Sequence, residues 1–182
     1  IMVGTIAAGH FSLELPERPS YEYIEVCPKT LALGAEIRGV DLSNVKSNKI
    51  YDEIADALWR YHVVFFEGQD LSGEAHLSLA RSLGKPEVHE IFDSDDDYPE
   101  ISILENDNKR PPEINTWHTD TTFRDKPSAC SILYCQISND GGDTMWLNQH
   151  LAFNQLSSPI REMLLEMEAE HDILNYYSGT EM

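Results

Sequence analysis

Apolar residues recur along this chain with two periods, one helical and one extended, and they divide it into short elements. From position 50 to 61 the apolar residues Ile50, Ile54, Leu58 and Tyr61 fall on one face of a helix. A second helix is expected to start from an N-cap at Ser72, to carry Ala75, Leu79 and Leu83 on its inner face, and to stop at Gly84 with Pro86 beyond it. Ser158-Pro159 reads as an N-cap followed by proline at the first helical position, with Ile160, Leu164 and Met167 as that helix's buried stripe. Between the helices the pattern is extended: residues 22–40 broken at Gly34 and Gly39, 63–66 closed by Glu67-Gly68, then 101–104, 117–123, 130–137 and 144–147. Asp140-Gly141-Gly142 is expected to turn, and 105–116, with Pro111-Pro112, to be a polar loop. Short strands with glycine turns around a few helices predict a mainly β domain with flanking helices, of jelly-roll type. There is no internal repeat, low-complexity linker or Gly-rich phosphate loop, so a single domain over residues 1–182 is expected.

Composition narrows the partners. A chain of 182 residues with 41% hydrophobic side chains can bury a core. Thirteen basic against 32 acidic side chains leave a net charge of −19. That field repels phosphate backbones and anionic membranes, so neither nucleic acid nor a membrane is expected as a partner. An anionic small molecule would need a local basic or hydrogen-bonding pocket. No apolar run approaches membrane-spanning length, and residues 1–9 lack the basic start of a signal peptide. The three cysteines, Cys27, Cys130 and Cys135, are odd in number and read as reduced, mostly buried thiols of a cytoplasmic protein. The acidic run Asp93-Ser94-Asp95-Asp96-Asp97 lacks EF-hand spacing and reads as a solvated loop.

The segment with chemical content is Trp117-His118-Thr119-Asp120-Thr121-Thr122-Phe123. On a strand, alternation would put His118 and Asp120 on the same side. An imidazole and a carboxylate so placed supply two corners of a 2-His-1-carboxylate triad, which holds Fe(II) and leaves positions open. A His-x-Asp triplet also arises by chance, so its neighbours decide. With Gly141-Gly142-Asp143-Thr144-Met145-Trp146, Ala169-Glu170-His171-Asp172, Leu33-Gly34-Ala35-Glu36-Ile37-Arg38-Gly39-Val40-Asp41-Leu42 and Val64-Phe65-Phe66-Glu67-Gly68-Gln69, it resembles the Fe(II)/2-oxoglutarate-dependent dioxygenases of the taurine dioxygenase family. The resemblance runs from about Ile24 to Asp172 and implies a double-stranded β-helix, or jelly roll.

Carried over residue by residue, the resemblance makes His118 and Asp120 iron ligands and Thr144 a contact to the 2-oxoglutarate side-chain carboxylate. His89 would hydrogen-bond the substrate's sulfonate. Taken alone, Thr144 reads as the end of a hairpin and His89 as a loop histidine. Trp117 and Phe123 are expected to pack beside the site, and His171 to be structural. The implied reaction couples oxidative decarboxylation of 2-oxoglutarate, to succinate and CO2, to hydroxylation of a small organosulfur anion with release of sulfite or sulfate. A homo-oligomer is the implied assembly.

Two departures shape the expectation. The chain ends at Met182, before the segment where the family places its distal histidine and the arginine that pairs with 2-oxoglutarate, so the C-terminal part of the family fold is expected to lie outside it. Phe92 stands where taurine dioxygenase has a tyrosine, and Ile114 where an asparagine is expected, which widens the candidates from taurine to alkyl sulfonates, sulfate esters and small carboxylates. A non-catalytic jelly-roll binding module and a cupin-type metal enzyme that uses no 2-oxoglutarate are the competing classes.

Overall fold

The structure, a computed structural model, describes residues 19–89, 92–106, 116–137 and 143–172, which belong to two compact units. The first comprises residues up to 40 and 47–68. In it β1 (Glu25–Pro28) pairs antiparallel with β2 (Ala35–Arg38), and β2 pairs in parallel with β3 (Val64–Phe65). Thr30 shapes the β1–β2 turn: its hydroxyl accepts from the backbone N–H of Leu33 at 3.0 Å, and Gly34 closes the turn at φ 90°, a conformation that costs glycine nothing.

Helix α1 (Asn48–Tyr61) begins where the Ser47 hydroxyl accepts from the Lys49 N–H, and it ends at His62, left-handed at φ 67°. Ile54 and Ala57 on its inner face are buried, and the helix packs on β2 and β3. On its outer side the Glu53 carboxylate accepts from the backbone N–H groups of Glu22, Tyr23 and Ile24 at 2.7, 2.9 and 3.1 Å, which pins the chain entering β1 to the helix.

The central strand β2 is buried on both faces. Ala35 and Ile37 face one way; Glu36, on the other, is the buried charge among the unit's described residues. It survives burial because Arg38 donates to it through Nε at 2.5 Å and Nη2 at 3.1 Å, and Lys29 also pairs with it. The Arg38 hydrogen bond first, then that of Lys29, holds the Glu36 carboxyl down at about 2, below its ordinary 4.5. A carboxyl depressed on folding stabilises the native state above its unfolded value and loses that contribution as pH falls through the folded one. The stability gap between the native protein and Glu36→Gln is therefore expected to be full above 4.5 and to close toward pH 2. Melting temperatures of both proteins across that range check this; a gap that does not change with pH contradicts it.

The second unit comprises residues 41–46 and those from 69 onward. A 3-10 turn (Leu42–Asn44) packs on α2 (Gly73–Leu83), and Leu42, Leu77 and Leu79 are buried. The Ser72 hydroxyl caps α2 by accepting from the Ala75 N–H at 3.2 Å. A Cβ on Gly73 would lie 2.3 Å from the Tyr98 ring, so this first helical residue has room for no side chain. Gly73→Ala is expected to cost about 1–3 kcal/mol despite alanine's better helix propensity. Urea unfolding measures this, and Tyr98→Ala in the same chain should recover the loss.

Several expectations differ from what is observed. Residues 101–104 make a single antiparallel bridge, Ser94 to Ser102, flanked by Asp95 N–H to Ile101 C=O at 2.9 Å and Ile103 N–H to Asp93 C=O at 2.7 Å. Residues 117–123, 130–137 and 144–147 form no ladder among the described residues, since an extended segment becomes a strand only beside a partner. Asp140-Gly141-Gly142 and most of the 105–116 loop lie outside the described residues. Helix α3 (Gln149–Asn154), capped by Asn148, was not predicted. Helix α4 (Ser158–Leu165) takes Ser157 rather than Ser158 as its N-cap, and Ile160, Leu164 and Met167 are exposed rather than buried. Periodicity marks a face suited to burial without showing that something covers it. All three cysteines are free, Cys27 and Cys130 half-buried and Cys135 exposed. Among the described residues no helix is long and apolar enough to cross a membrane.

Candidate metal centre

His118 and Asp120 come together, through a turn rather than the expected strand. Residues 120–123 turn, the Arg124 N–H bonds to the Thr121 carbonyl at 3.0 Å, and Thr121 is left-handed at φ 54°. That conformation is unfavourable for a β-branched residue, by roughly 1–2 kcal/mol, and persists only where surrounding bonds impose it. Three such bonds are present. The Thr121 hydroxyl accepts from the Ser128 N–H at 2.9 Å, Gln149 Nε2 donates to the Thr119 hydroxyl at 3.1 Å, and His171 Nδ1 bonds the Thr122 hydroxyl at 2.9 Å. Each threonine of the motif is thus fixed by a different downstream segment.

On this turn His118 Nε2 lies 3.1 Å from Asp120 Oδ1. His118 Nδ1 lies 2.9 Å from the Thr116 carbonyl oxygen. A carbonyl only accepts, so Nδ1 donates there, and Nε2 is the ring atom turned toward the carboxylate. Asp120 Oδ2 accepts from the Ser131 hydroxyl at 2.8 Å. Two lone-pair donors facing each other are stable with a cation or a proton between them. Donors about 2.1 Å from an ion at neighbouring octahedral positions stand about 3 Å apart, so the pair's separation and chemistry fit a divalent metal. Both side chains are half-exposed, which leaves the pair open to a ligand. Among the described residues no third histidine, cysteine, aspartate or glutamate joins them.

The other sequence candidates make no hydrogen bond to the pair. His89 stacks on Phe92, ring centroids 4.5 Å apart, which gives a direct contact to the residue that departs from the family pattern. Thr144 is exposed, and neither residue hydrogen-bonds to His118 or Asp120. Trp117 is exposed, while Phe123 is half-buried with the Arg124 guanidinium 5.7 Å from its ring centre. Sequence reasoning missed Ser131, Gln149 and the Glu87–Arg124 ion pair, in which Glu87 accepts from Arg124 Nη1 at 2.5 Å and from the Ser128 hydroxyl at 3.2 Å. The Glu87 pair ties the loop carrying His89 to the one that follows the His-x-Asp turn. Contacts across eleven to forty-one positions leave no periodic trace, so no signal in the sequence could have found them.

The family model described as "Taurine catabolism dioxygenase TauD, TfdA family" matches residues 24–181, and the chain belongs to that family. An alpha-ketoglutarate-dependent sulfate ester dioxygenase of Pseudomonas putida is 35% identical over 154 residues, covering 81% of this chain and 49% of that protein. An alkylsulfatase of Acinetobacter baylyi is 33% identical, over 81% of this chain and 46% of its own length. A crystal structure of a putative alpha-ketoglutarate-dependent taurine dioxygenase from Burkholderia xenovorans superposes with a TM-score of 0.61 at 31% identity, covering 77% of this chain and 50% of that one. The chain therefore spans about half the length of the relatives it matches. Its fold class is that of these dioxygenases, the jelly roll with flanking helices.

Proposed function

We propose that this protein is an Fe(II)/2-oxoglutarate-dependent dioxygenase, its 182 residues belonging to one catalytic domain, that hydroxylates a small organosulfur anion: taurine, an alkyl sulfonate or a sulfate ester. The observation that carries this is the His118–Asp120 donor pair at 3.1 Å, inside a family whose similar members are named for sulfate esters. Of the three substrates the relatives favour the sulfate ester. The Phe92 ring against His89 suits an alkyl chain better than taurine's ammonium group.

In this reading His118 and Asp120 would hold the iron, with Thr116 and Ser131 orienting the two side chains. Bound iron and 2-oxoglutarate supply the activation of O2. Thr144 contacts the cosubstrate carboxylate, and His89 donates to the sulfate or sulfonate oxygens, placing the adjacent carbon for attack. The chemistry these groups would supply couples loss of CO2 from 2-oxoglutarate, giving succinate, to placing one atom of O2 on the substrate as a hydroxyl. Hydroxylation on the carbon bearing the sulfate gives a hemiacetal-like ester that collapses to aldehyde and sulfate.

Incubation with a medium-chain alkyl sulfate, Fe(II) and 2-oxoglutarate is expected to yield succinate, sulfate and aldehyde in equal amounts. Sulfonates should be turned over more slowly. Product formation that never depends on added 2-oxoglutarate would sink the proposal.

A further inference from the structure

We propose that Ser131 is a positioning residue of the metal centre: its hydroxyl occupies Oδ2 of Asp120, so that Oδ1 alone is presented to the ion. This rests on the metal-centre reading above. A carboxylate only accepts, so the Ser131 hydroxyl is the donor in the 2.8 Å bond, and a bond to a charged acceptor is among the stronger kinds. The two carboxylate oxygens thereby acquire different roles: Oδ2 is anchored, and Oδ1 is the atom 3.1 Å from His118 Nε2. Without the anchor the carboxylate would rotate and offer one or both oxygens. The histidine is fixed in a parallel way, by the Thr116 carbonyl on Nδ1, so each ligand has one atom tied to the protein and one turned toward the other ligand.

The bond serves the site more than the fold. Ser131 is exposed, and among the described residues Asp120 is the sole hydrogen-bond partner of its hydroxyl. Ligand-orienting partners of this kind typically contribute about 10–100-fold to metal affinity.

Anaerobic calorimetric titration with Fe(II) alone tests this on the native protein, Ser131→Ala, Ser131→Thr and His118→Ala. Ser131→Ala is expected to bind Fe(II) about 10-fold more weakly while melting, metal-free, at the native temperature, and Ser131→Thr, which keeps the hydroxyl, should bind as the native protein does. Native affinity in Ser131→Ala overturns the inference while leaving the metal centre intact, as does a Ser131→Thr no better than Ser131→Ala. If the native protein takes up no Fe(II), or His118→Ala takes it up unchanged, the metal-centre reading fails and this inference with it.

Discussion

Replacing either His118 or Asp120 by alanine is expected to lower 2-oxoglutarate-dependent product formation by more than about 100-fold, beyond what loss of a merely orienting partner costs. Each supplies one of the two facing donor atoms, 3.1 Å apart, and nothing else among the described residues can substitute. The fold should survive both changes. The side chains are 45% and 56% exposed and fill no core space, so circular dichroism and melting should remain close to native. Steady-state sulfate release beside a thermal melt separates the two effects. Asp120→Ala activity within a few-fold of native would mean that the pair is not the metal centre.

The second large effect concerns stability. Ile54→Ala is expected to lower it by about 2–5 kcal/mol, the range for truncating a fully buried aliphatic side chain. Ile54, 1% exposed on the inner face of α1, is the largest side chain buried so completely among the described residues. Its loss opens a cavity on the face of α1 that packs on β2 and β3. Urea unfolding measures the change. A loss under 1 kcal/mol would show that the α1–sheet packing collapses around the gap.

The helices were the most legible part of the sequence. Both α1 and α2 carry an apolar stripe at helical spacing, and the Ser72 cap expected for α2 is the one observed, while the Ser47 cap of α1 was not foreseen. The middle of β2 was not legible: three consecutive buried residues, one of them Glu36, break the in–out alternation, and the charge is compensated by Lys29 and Arg38 rather than excluded. Around the site, the spacing of His118 and Asp120 singled them out, and they do face one another, but the backbone that brings them together could not be read. Alternation argued for a strand, and the left-handed Thr121 and its neighbours' side-chain bonds to Ser128, Gln149 and His171 impose a turn. Ser131 was invisible for the same reason, since a single hydroxyl eleven positions from its partner has no pattern. The exposed apolar positions of α4 show the converse, a clear period whose partner surface the sequence does not name.

The most direct test of the central claim is an anaerobic titration of the protein with Fe(II) and 2-oxoglutarate, followed by visible absorption. A weak charge-transfer band that needs both components and vanishes in His118→Ala is the predicted result. A folded protein that shows no band with both present would contradict it.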